Sequence, residues 1–210
     1  MYLSVDQIFN LSNMKTILIV CLVLTLGFLL FQIYSMTSRK KIESYPYHVI
    51  KAYEAFEIRK YEARLFTSVK LKTDKYEDAS GKGFSILAGY IFGGNKQKDK
   101  ISMTSPVSMS LEDSMTMMFM VPKEWKKEDL PEPNSVDIQF TEEPAKTVAA
   151  ISFGGWANSE KIKTYKEKLT SALTKEGISF TNQFYFFGYN PPYDLINRKN
   201  EIIVTLTDGY

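Results

Sequence analysis

Apolar and polar positions divide this 210-residue chain into two unlike parts. In the first part, the run from Ile17 to Ile33 is apolar except for Thr25, Gly27 and Gln32. Beyond residue 44, several short segments alternate between apolar and polar residues, and two longer segments repeat their apolar residues every three or four positions. Alternation is typical of half-buried strands, and the longer spacing is typical of amphipathic helices. The pattern therefore predicts one apolar helix followed by a separate domain of strands and helices.

The predicted domain contains the same order of elements twice. A shift of 82 residues, from Ala63 to Ala145, also places Val69 on Ile151. Two strand–strand–helix–strand–strand units side by side predict an α+β fold, with a curved or barrel-like antiparallel sheet and two helices packed on it. The predicted elements are strands over 56–61 and 65–72, a helix over 75–92, strands over 101–110 and 115–121, a long loop over 122–135, strands over 136–141 and 147–153, a helix over 158–176, and strands over 183–188 and 201–207.

The apolar run near the N-terminus approaches the length needed to cross a membrane. Its seventeen residues would reach roughly 25 Å as a helix, against a hydrocarbon core of about 30 Å, and Thr16 and Tyr34 extend it. Lys15 and Arg39 can extend to the membrane interface. A cleaved signal peptide is the alternative, but the run ends in Phe31-Gln32-Ile33-Tyr34, without a small-x-small cleavage site. We therefore expect an uncleaved, single-pass membrane anchor.

The same segment sets the predicted boundaries of the chain. They are an N-terminal tail (1–16), an anchor or signal segment (17–34), a basic linker (35–44) and one domain (45–210). Arg39, Lys40 and Lys41 favour a cytoplasmic domain. A short signal anchor that begins at Met14 would favour the opposite side, so the side of the membrane stays open.

Charge and cysteine content exclude several classes of function. The net charge is +2, but residues 1–41 contain four basic residues and one acidic residue, so the domain itself carries about −1. A nucleic-acid-binding domain would show a one-sided excess of Lys and Arg, so we expect no nucleic acid partner. Cys21 is the single cysteine and lies in the apolar run, which leaves no internal disulfide and no Cys/His zinc pattern.

No arrangement of catalytic residues is readable in the sequence. His48 is the single histidine and follows the linker, and the carboxylate pairs Glu112-Asp113 and Glu142-Glu143 lie in predicted turns. Six of the nine methionines lie between Met103 and Met120, which is typical of a methionine-rich core strand pair or of a surface that adapts to a ligand. We therefore expect a binding protein and not an enzyme, and we assign no metal ligands.

Two segments are more apolar than their predicted positions require. The C-terminal half of the first predicted helix (84–92) is apolar on nearly all sides, so another chain, a membrane surface, an apolar ligand or the long predicted loop must cover it. The segment 184–193 contains four consecutive aromatic residues, and Gly188, Pro191 and Pro192 restrict its backbone. This second segment covers the core or forms one wall of a pocket.

Five segments of the domain carry a resemblance to a known family. They are Phe56-Glu-Ile-Arg-Lys-Tyr61, Lys100-Ile-Ser-Met-Thr-Ser-Pro-Val107, Phe153-Gly-Gly-Trp156, Phe187-Gly-Tyr-Asn-Pro-Pro-Tyr193 and Arg198-Lys-Asn-Glu-Ile202. Together they span residues about 45–208, and in this order they resemble the SOUL/haem-binding protein family.

The resemblance implies both a fold and a ligand. The fold is a distorted antiparallel β-barrel of two pseudo-symmetric halves with two helices, which agrees with the repeated order of elements. The ligand is haem or a related tetrapyrrole, bound non-covalently in a shallow apolar cleft between residues 86–92 and 188–193, with Lys82, Lys96 or Arg198 near the propionates. The binding residues expected on this basis are Ile86, Leu87, Tyr90, Ile91, Met103, Gly188, Tyr189, Pro191, Tyr193 and Arg198.

The expected function is a membrane-anchored domain that binds a tetrapyrrole reversibly, as a carrier or buffer. Two alternatives stay open. One is a binding module for another planar or amphipathic small molecule, similar to the effector-binding domains of some bacterial regulators. The other is a ligand-free protein whose apolar helix docks on a partner in the membrane.

Overall fold

The chain forms two compact units, residues 1–41 and 42–210. The computed structural model describes the backbone of residues 5–38, 42–112 and 114–207, and the side chains of residues 14–34, 42–112 and 114–207. Four residues named in the sequence analysis lie outside the described residues: Arg39, Lys40, Lys41 and Asp113.

The first unit is a single helix, α1 (Val5–Ser38), which extends beyond the apolar run at both ends. Its segment Met14–Tyr34 has 21 residues and a mean hydropathy of 2.6, so by length and composition it can cross a membrane. The hydroxyl of Thr25 donates to the carbonyl oxygen of Cys21 at 2.8 Å, which satisfies this polar group within the helix. One such helix near the N-terminus fits a membrane anchor and a signal sequence equally.

The second unit is a curled sheet with two helices packed on it. Within the described residues, nine strands pair antiparallel in the order β1-β2-β7-β9-β8-β4-β5-β3-β6. In chain order the elements are β1 (Tyr47–Ala52), β2 (Glu57–Tyr61), β3 (Arg64–Lys70), α2 (Tyr76–Ile91), β4 (Val107–Ser110), β5 (Thr116–Met120), β6 (Ile138–Glu143), β7 (Lys146–Gly154), α3 (Ser159–Lys175), β8 (Phe180–Gly188) and β9 (Lys199–Leu206). The predicted α+β class and its barrel-like sheet are confirmed.

The sheet order relates the two halves of the domain by an approximate two-fold axis. The first strand of each half pairs with the second strand of the other half, as β2 with β7 and β6 with β3. At the centre, Val107 lies opposite Gly188. The N-termini of the two helices also meet, because Glu77 accepts hydrogen bonds from the backbone N and the hydroxyl of Ser159, 82 positions later. The two pseudo-symmetric halves predicted from the shift of 82 residues are confirmed.

The predicted and observed elements differ most at β1 and β4. All six residues of β1 are exposed, so this edge strand lacks the alternation on which its prediction would depend. The strand predicted over 101–110 is present only over Val107–Ser110. Before it, Pro106 cannot donate a backbone hydrogen bond, and the hydroxyl of Thr104 donates to the carbonyl oxygen of Met120 at 2.7 Å.

Both faces of the central strands are buried. Phe186 and Met117 belong to the core under the two helices, here called the helix-side core. Their neighbours Phe187 and Met118 belong to a core on the opposite face, here called the second core. Because a strand buried on both faces is apolar at every position, the four consecutive aromatic residues are core residues, and the methionine-rich segment is a core strand pair.

A buried ion pair lies on the face of the second core. The Arg59 guanidinium on β2 donates to both carboxylate oxygens of Glu201 on β9, at 2.9 and 3.1 Å, and the two side chains are 4% and 0% exposed. Ser152 on the intervening β7 donates to the same carboxylate at 2.9 Å. Burial raises the pKa of Glu201, but the hydrogen bonds and charge of Arg59 outweigh burial and hold this pKa below its usual value of 4.5. Glu201 is therefore ionised in the folded domain.

The substitution Glu201→Gln should destabilise the domain strongly. It leaves the buried Arg59 charge with the partly exposed Glu57 in place of its buried carboxylate partner, and the loss of one partner of a buried pair costs about 3–5 kcal/mol. Urea unfolding of residues 42–210, which contain every strand and both cores, measures the free energy of unfolding. The matched control is Glu57→Gln. Glu57 also contacts Arg59, at 2.8 Å, but its side chain is 38% exposed, so we expect a loss below about 1 kcal/mol.

The same pair predicts an acid-sensitive stability. Because the pKa of Glu201 is lowered by folding, the pair stabilises the domain above about pH 4.5, and this contribution falls as the pH decreases through the folded-state pKa. The Glu201→Gln variant should lack this component of the acid sensitivity. Equal free energies of unfolding for the Glu201 and Glu57 variants would contradict the role of the buried pair.

Candidate functional site

The aromatic loop, residues 189–198 between β8 and β9, is held together by its own last residue. Nη1 of Arg198 donates to the carbonyl oxygens of Pro191 at 2.9 Å and of Asp194 at 2.7 Å. Pro191 and Pro192 restrict the backbone further. The loop is therefore closed by an arginine as well as stiffened by its prolines.

Trp156 connects the aromatic loop to the turn before α3. The guanidinium carbon of Arg198 lies 3.9 Å from the centroid of the Trp156 ring, which is a cation–π contact. The side-chain amide of Asn200 donates to the carbonyl oxygen of Gly155 in the same turn, at 2.8 Å. The loop and the turn before α3 thus form one connected structure.

The three basic residues considered for propionate pairing have different surroundings. Arg198 donates to loop carbonyl groups and contacts Trp156. Lys96 pairs with Glu132. Lys82 is exposed on α2. The hydrogen bonds of Arg198 therefore stabilise the conformation of the loop.

Tyr189, at the start of the aromatic loop, faces the second core. Its hydroxyl donates to Glu201 at 2.6 Å. Burial and the charge of Glu201 hold the pKa of Tyr189 well above 10, so the hydroxyl stays protonated and remains a donor. The buried ion pair therefore also fixes the first residue of the loop.

The apolar C-terminal half of α2 is mostly covered by the domain itself. Leu87, Tyr90 and Ile91 are 0%, 1% and 4% exposed. The hydroxyl of Tyr90 donates to the carbonyl oxygen of Pro131 at 2.8 Å, and Leu130 is part of the helix-side core. The long loop between β5 and β6, one of the four alternatives considered from the sequence, therefore covers the C-terminal end of this helix.

The N-terminal half of α2 carries a stripe of side chains at helical spacing. Tyr76, Ser80 and Phe84 follow one another at intervals of four residues, so they share a helix face. Phe84 is 37% exposed. Burial raises the pKa of Tyr76, and its ring packs edge-on against Phe186 of β8, with the ring centroids 5.0 Å apart.

A row of residues runs from Phe84 on this stripe across three neighbouring strands to Gly188 at the start of the aromatic loop, and its surface is here called the α2 trough. The ring centroids of Phe84 and Phe119 lie 5.4 Å apart. Phe119 lies opposite Val107, and Val107 lies opposite Gly188, on three neighbouring strands. Directly opposed residues point to the same face, and two strand spacings amount to roughly 10 Å. Val107, in the middle of this row, is half-buried against the helix-side core and is taken as the floor of the trough, and Met103, four residues earlier, is half-buried against the same core.

The predicted binding residues divide among four places. Leu87, Tyr90 and Ile91 are core residues, and Ile86 and Met103 are half-buried against the same core. Gly188 lies in the α2 trough, Tyr189 is on the opposite face, and Pro191, Tyr193 and Arg198 belong to the loop. Sequence reasoning missed Phe84 and Val107 as lining residues. The four-residue spacing of Tyr76, Ser80 and Phe84 could have indicated Phe84, but nothing in the sequence indicates that Val107 is partly exposed.

The single histidine and the methionines lie in different parts of the domain. His48 lies on the exposed edge strand β1, opposite Lys60. In residues 14–34, 42–112 and 114–207, no group of three or more His, Cys, Asp or Glu residues is placed to hold a metal ion. Met103 is half-buried against the helix-side core, whereas Met117 and Met118 belong to the two cores.

Comparison with known proteins gives related sequences and a shared fold. The family model described as SOUL heme-binding protein matches residues 42–205. Heme-binding protein 2 of Homo sapiens is 31% identical over 157 residues, which cover 70% of this chain and 76% of that protein. Heme-binding protein 1 of Xenopus laevis is 29% identical over 157 residues, which cover 70% and 82% of the two chains.

Two solved structures share the fold at low sequence identity. The C-terminal domain of EcmrR has a TM-score of 0.58 and 12% identity, over 78% of this chain and 99% of that one. A hydrolase from Listeria innocua has a TM-score of 0.53 and 10% identity, over 75% and 94% of the two chains. Because the family model spans most of the chain and the quoted motifs lie within it, the resemblance read from the sequence is confirmed, and this protein belongs to the SOUL heme-binding protein family.

Proposed function

We propose that this protein binds haem or a related tetrapyrrole reversibly in the α2 trough, as a carrier or buffer, while α1 holds it at a membrane. The observation that carries the proposal is the partly exposed Phe84 beside the floor formed by Val107, next to a loop that Arg198 holds in one shape. The names of the relatives, Heme-binding protein 1 and 2, support a tetrapyrrole as the ligand.

Apolar burial and stacking would supply most of the affinity. A flat ring in the trough would cover Phe84, Val107 and Met103, and the burial of one Phe side chain contributes about 1.5–3 kcal/mol. Stacking on an aromatic ring adds about 0.5–1.5 kcal/mol. Because the aromatic loop is already held, Gly188 at the end of β8 and Pro191 in the loop can contact the ring with little loss of conformational entropy.

The proposal does not depend on an axial iron ligand. Binding through apolar contacts alone is readily reversible, which suits a carrier or buffer and not a redox catalyst. Tyr193, which is 54% exposed on the loop, is proposed as a further contact at the open side of the trough.

Replacing Phe84 by Asp should raise the Kd for haemin about 10-fold or more, because the ring loses its largest exposed apolar contact on α2. The change in Soret absorbance during titration of residues 42–210 with haemin measures this Kd. The matched control is Phe92→Asp, just past the end of the same helix, where the side chain is 60% exposed. Its Kd should stay within about twofold of the unchanged domain, a difference below ~0.5 kcal/mol.

The two variants also separate the possible positions of the site. A loss of haemin affinity in the Phe92 variant alone would indicate that the ligand binds at the C-terminal end of α2 instead. An unchanged Kd in both variants, with melting temperatures equal to that of the unchanged domain, would contradict the α2 trough as the binding site.

The proposed anchor rests on the length and exposure of the apolar part of α1. Met14–Tyr34 would span roughly 32 Å as a helix, close to a hydrocarbon core of about 30 Å. Leu22 and Leu24 are 69% and 68% exposed, as suits a helix surrounded by lipid. We propose residues 17–34 as the anchor, 35–44 as the linker and 45–210 as the binding domain.

The full chain should remain in the membrane fraction after alkaline carbonate extraction, because a spanning helix is released only by detergent. Residues 42–210 should appear in the soluble fraction. The intact mass of the membrane-bound protein should be that of the full chain, 24.1 kDa. A soluble product whose N-terminus follows residue 34 would identify the segment as a cleaved signal sequence.

A further inference from the structure

Three large apolar side chains are exposed on two neighbouring loops of the domain. Trp156 is 53% exposed, Leu195 54% and Ile196 46%. Arg198 joins the two loops, because its guanidinium contacts both the Trp156 ring and the carbonyl oxygen of Asp194, the residue before Leu195. The three exposed side chains therefore lie on two connected segments, the turn before α3 and the aromatic loop, and together they are here called the Trp156 surface.

Basic groups lie around this surface. The amino group of Lys161 donates to the carbonyl oxygen of Gly154 at 2.8 Å, two residues before Trp156. The guanidinium of Arg198 lies over the Trp156 ring itself, whereas its neighbour Lys199 pairs with Glu201 at 3.0 Å. The acidic residue within the loop, Asp194, is 1% exposed. Glu160, in the first turn of α3, is the exposed acidic residue next to Lys161.

The chain enters the domain at the same end of the sheet. Ser44 forms an isolated bridge with Ser105, and the backbone N of Tyr45 donates to the carbonyl oxygen of Ser105 at 2.9 Å. Two residues later, Val107 pairs with Gly188, where the aromatic loop begins. The chain therefore enters the domain at the end of the sheet where the aromatic loop begins.

We propose that the Trp156 surface docks on the lipid bilayer, with the three apolar side chains in the interfacial region and the basic groups at anionic headgroups. This inference rests on the proposed membrane anchor. Tryptophan is enriched at membrane–water interfaces because its ring is amphipathic. Surfaces that bind anionic membranes typically combine exposed apolar side chains with neighbouring Lys and Arg residues.

The experiment uses residues 42–210, so that α1 plays no part in binding. Trp125→Phe leaves Trp156 as the single tryptophan, since the chain has two. With vesicles of phosphatidylcholine and phosphatidylserine, the Trp156 emission should shift to shorter wavelength, and brominated lipids should quench it. The domain should co-sediment with these vesicles and bind vesicles of phosphatidylcholine alone more weakly.

Variants of the surface test its composition. The double substitution Leu195→Ser and Ile196→Ser should lower the partition coefficient about tenfold or more. The matched control is Val136→Ser, because Val136 is 96% exposed on another loop, and its partition coefficient should not change. Lys161→Gln should lower binding about fivefold on the anionic vesicles and not on the neutral vesicles.

Haemin titration separates this inference from the proposed function. The Leu195/Ile196 variant should retain its haemin affinity, and Phe84→Asp should retain vesicle binding. A domain that binds haemin but shows neither a Trp156 shift nor co-sedimentation would overturn the docking surface. So would an equal loss of vesicle binding with Val136→Ser, or a Trp156 surface that is buried instead in a dimer of the domain.

Discussion

The buried charge pair of Arg59 and Glu201 is the interaction on which the rest of the domain depends. Both groups are almost fully buried, each is the other's buried ionic partner, and Ser152, Tyr189 and Lys199 make further contacts with the carboxylate. These partners come from β2, β9, β7 and the aromatic loop. The network therefore forms only when three strands are in register, and the position of the loop follows from the assembly of the sheet.

The candidate functions lie where the two halves of the domain differ. The halves exchange strands symmetrically, and their helices meet at Glu77 and Ser159. The connection between β4 and β5 is short, whereas the equivalent connection between β8 and β9 is the aromatic loop, residues 189–198. A loop positioned by a rigid scaffold is a common place for binding. Both proposals use this one loop, the α2 trough at its start and the Trp156 surface beside it.

Much of the fold was predictable because its signals are local. Periodicity located α2, α3 and most strands to within a few residues, and the shift from Ala63 to Ala145 indicated the two halves. The site was less predictable. Arg59 alternates with Ile58 in a manner typical of a solvent-facing residue, and its partner lies 142 positions later. The apolar surplus of α2 suggested a ligand, but Tyr90 is covered by the chain itself.

The amino-acid sequence by itself determined the apolar helix, the order of strands and helices, and membership of the family, because periodicity and short motifs are properties of neighbouring residues. Only the tertiary structure decided which apolar side chains remain accessible and which charges are buried. Leu87 and Phe84 lie on one helix, yet Leu87 is 0% and Phe84 37% exposed. That difference depends on contacts with strands far away in the chain, and no local pattern encodes it.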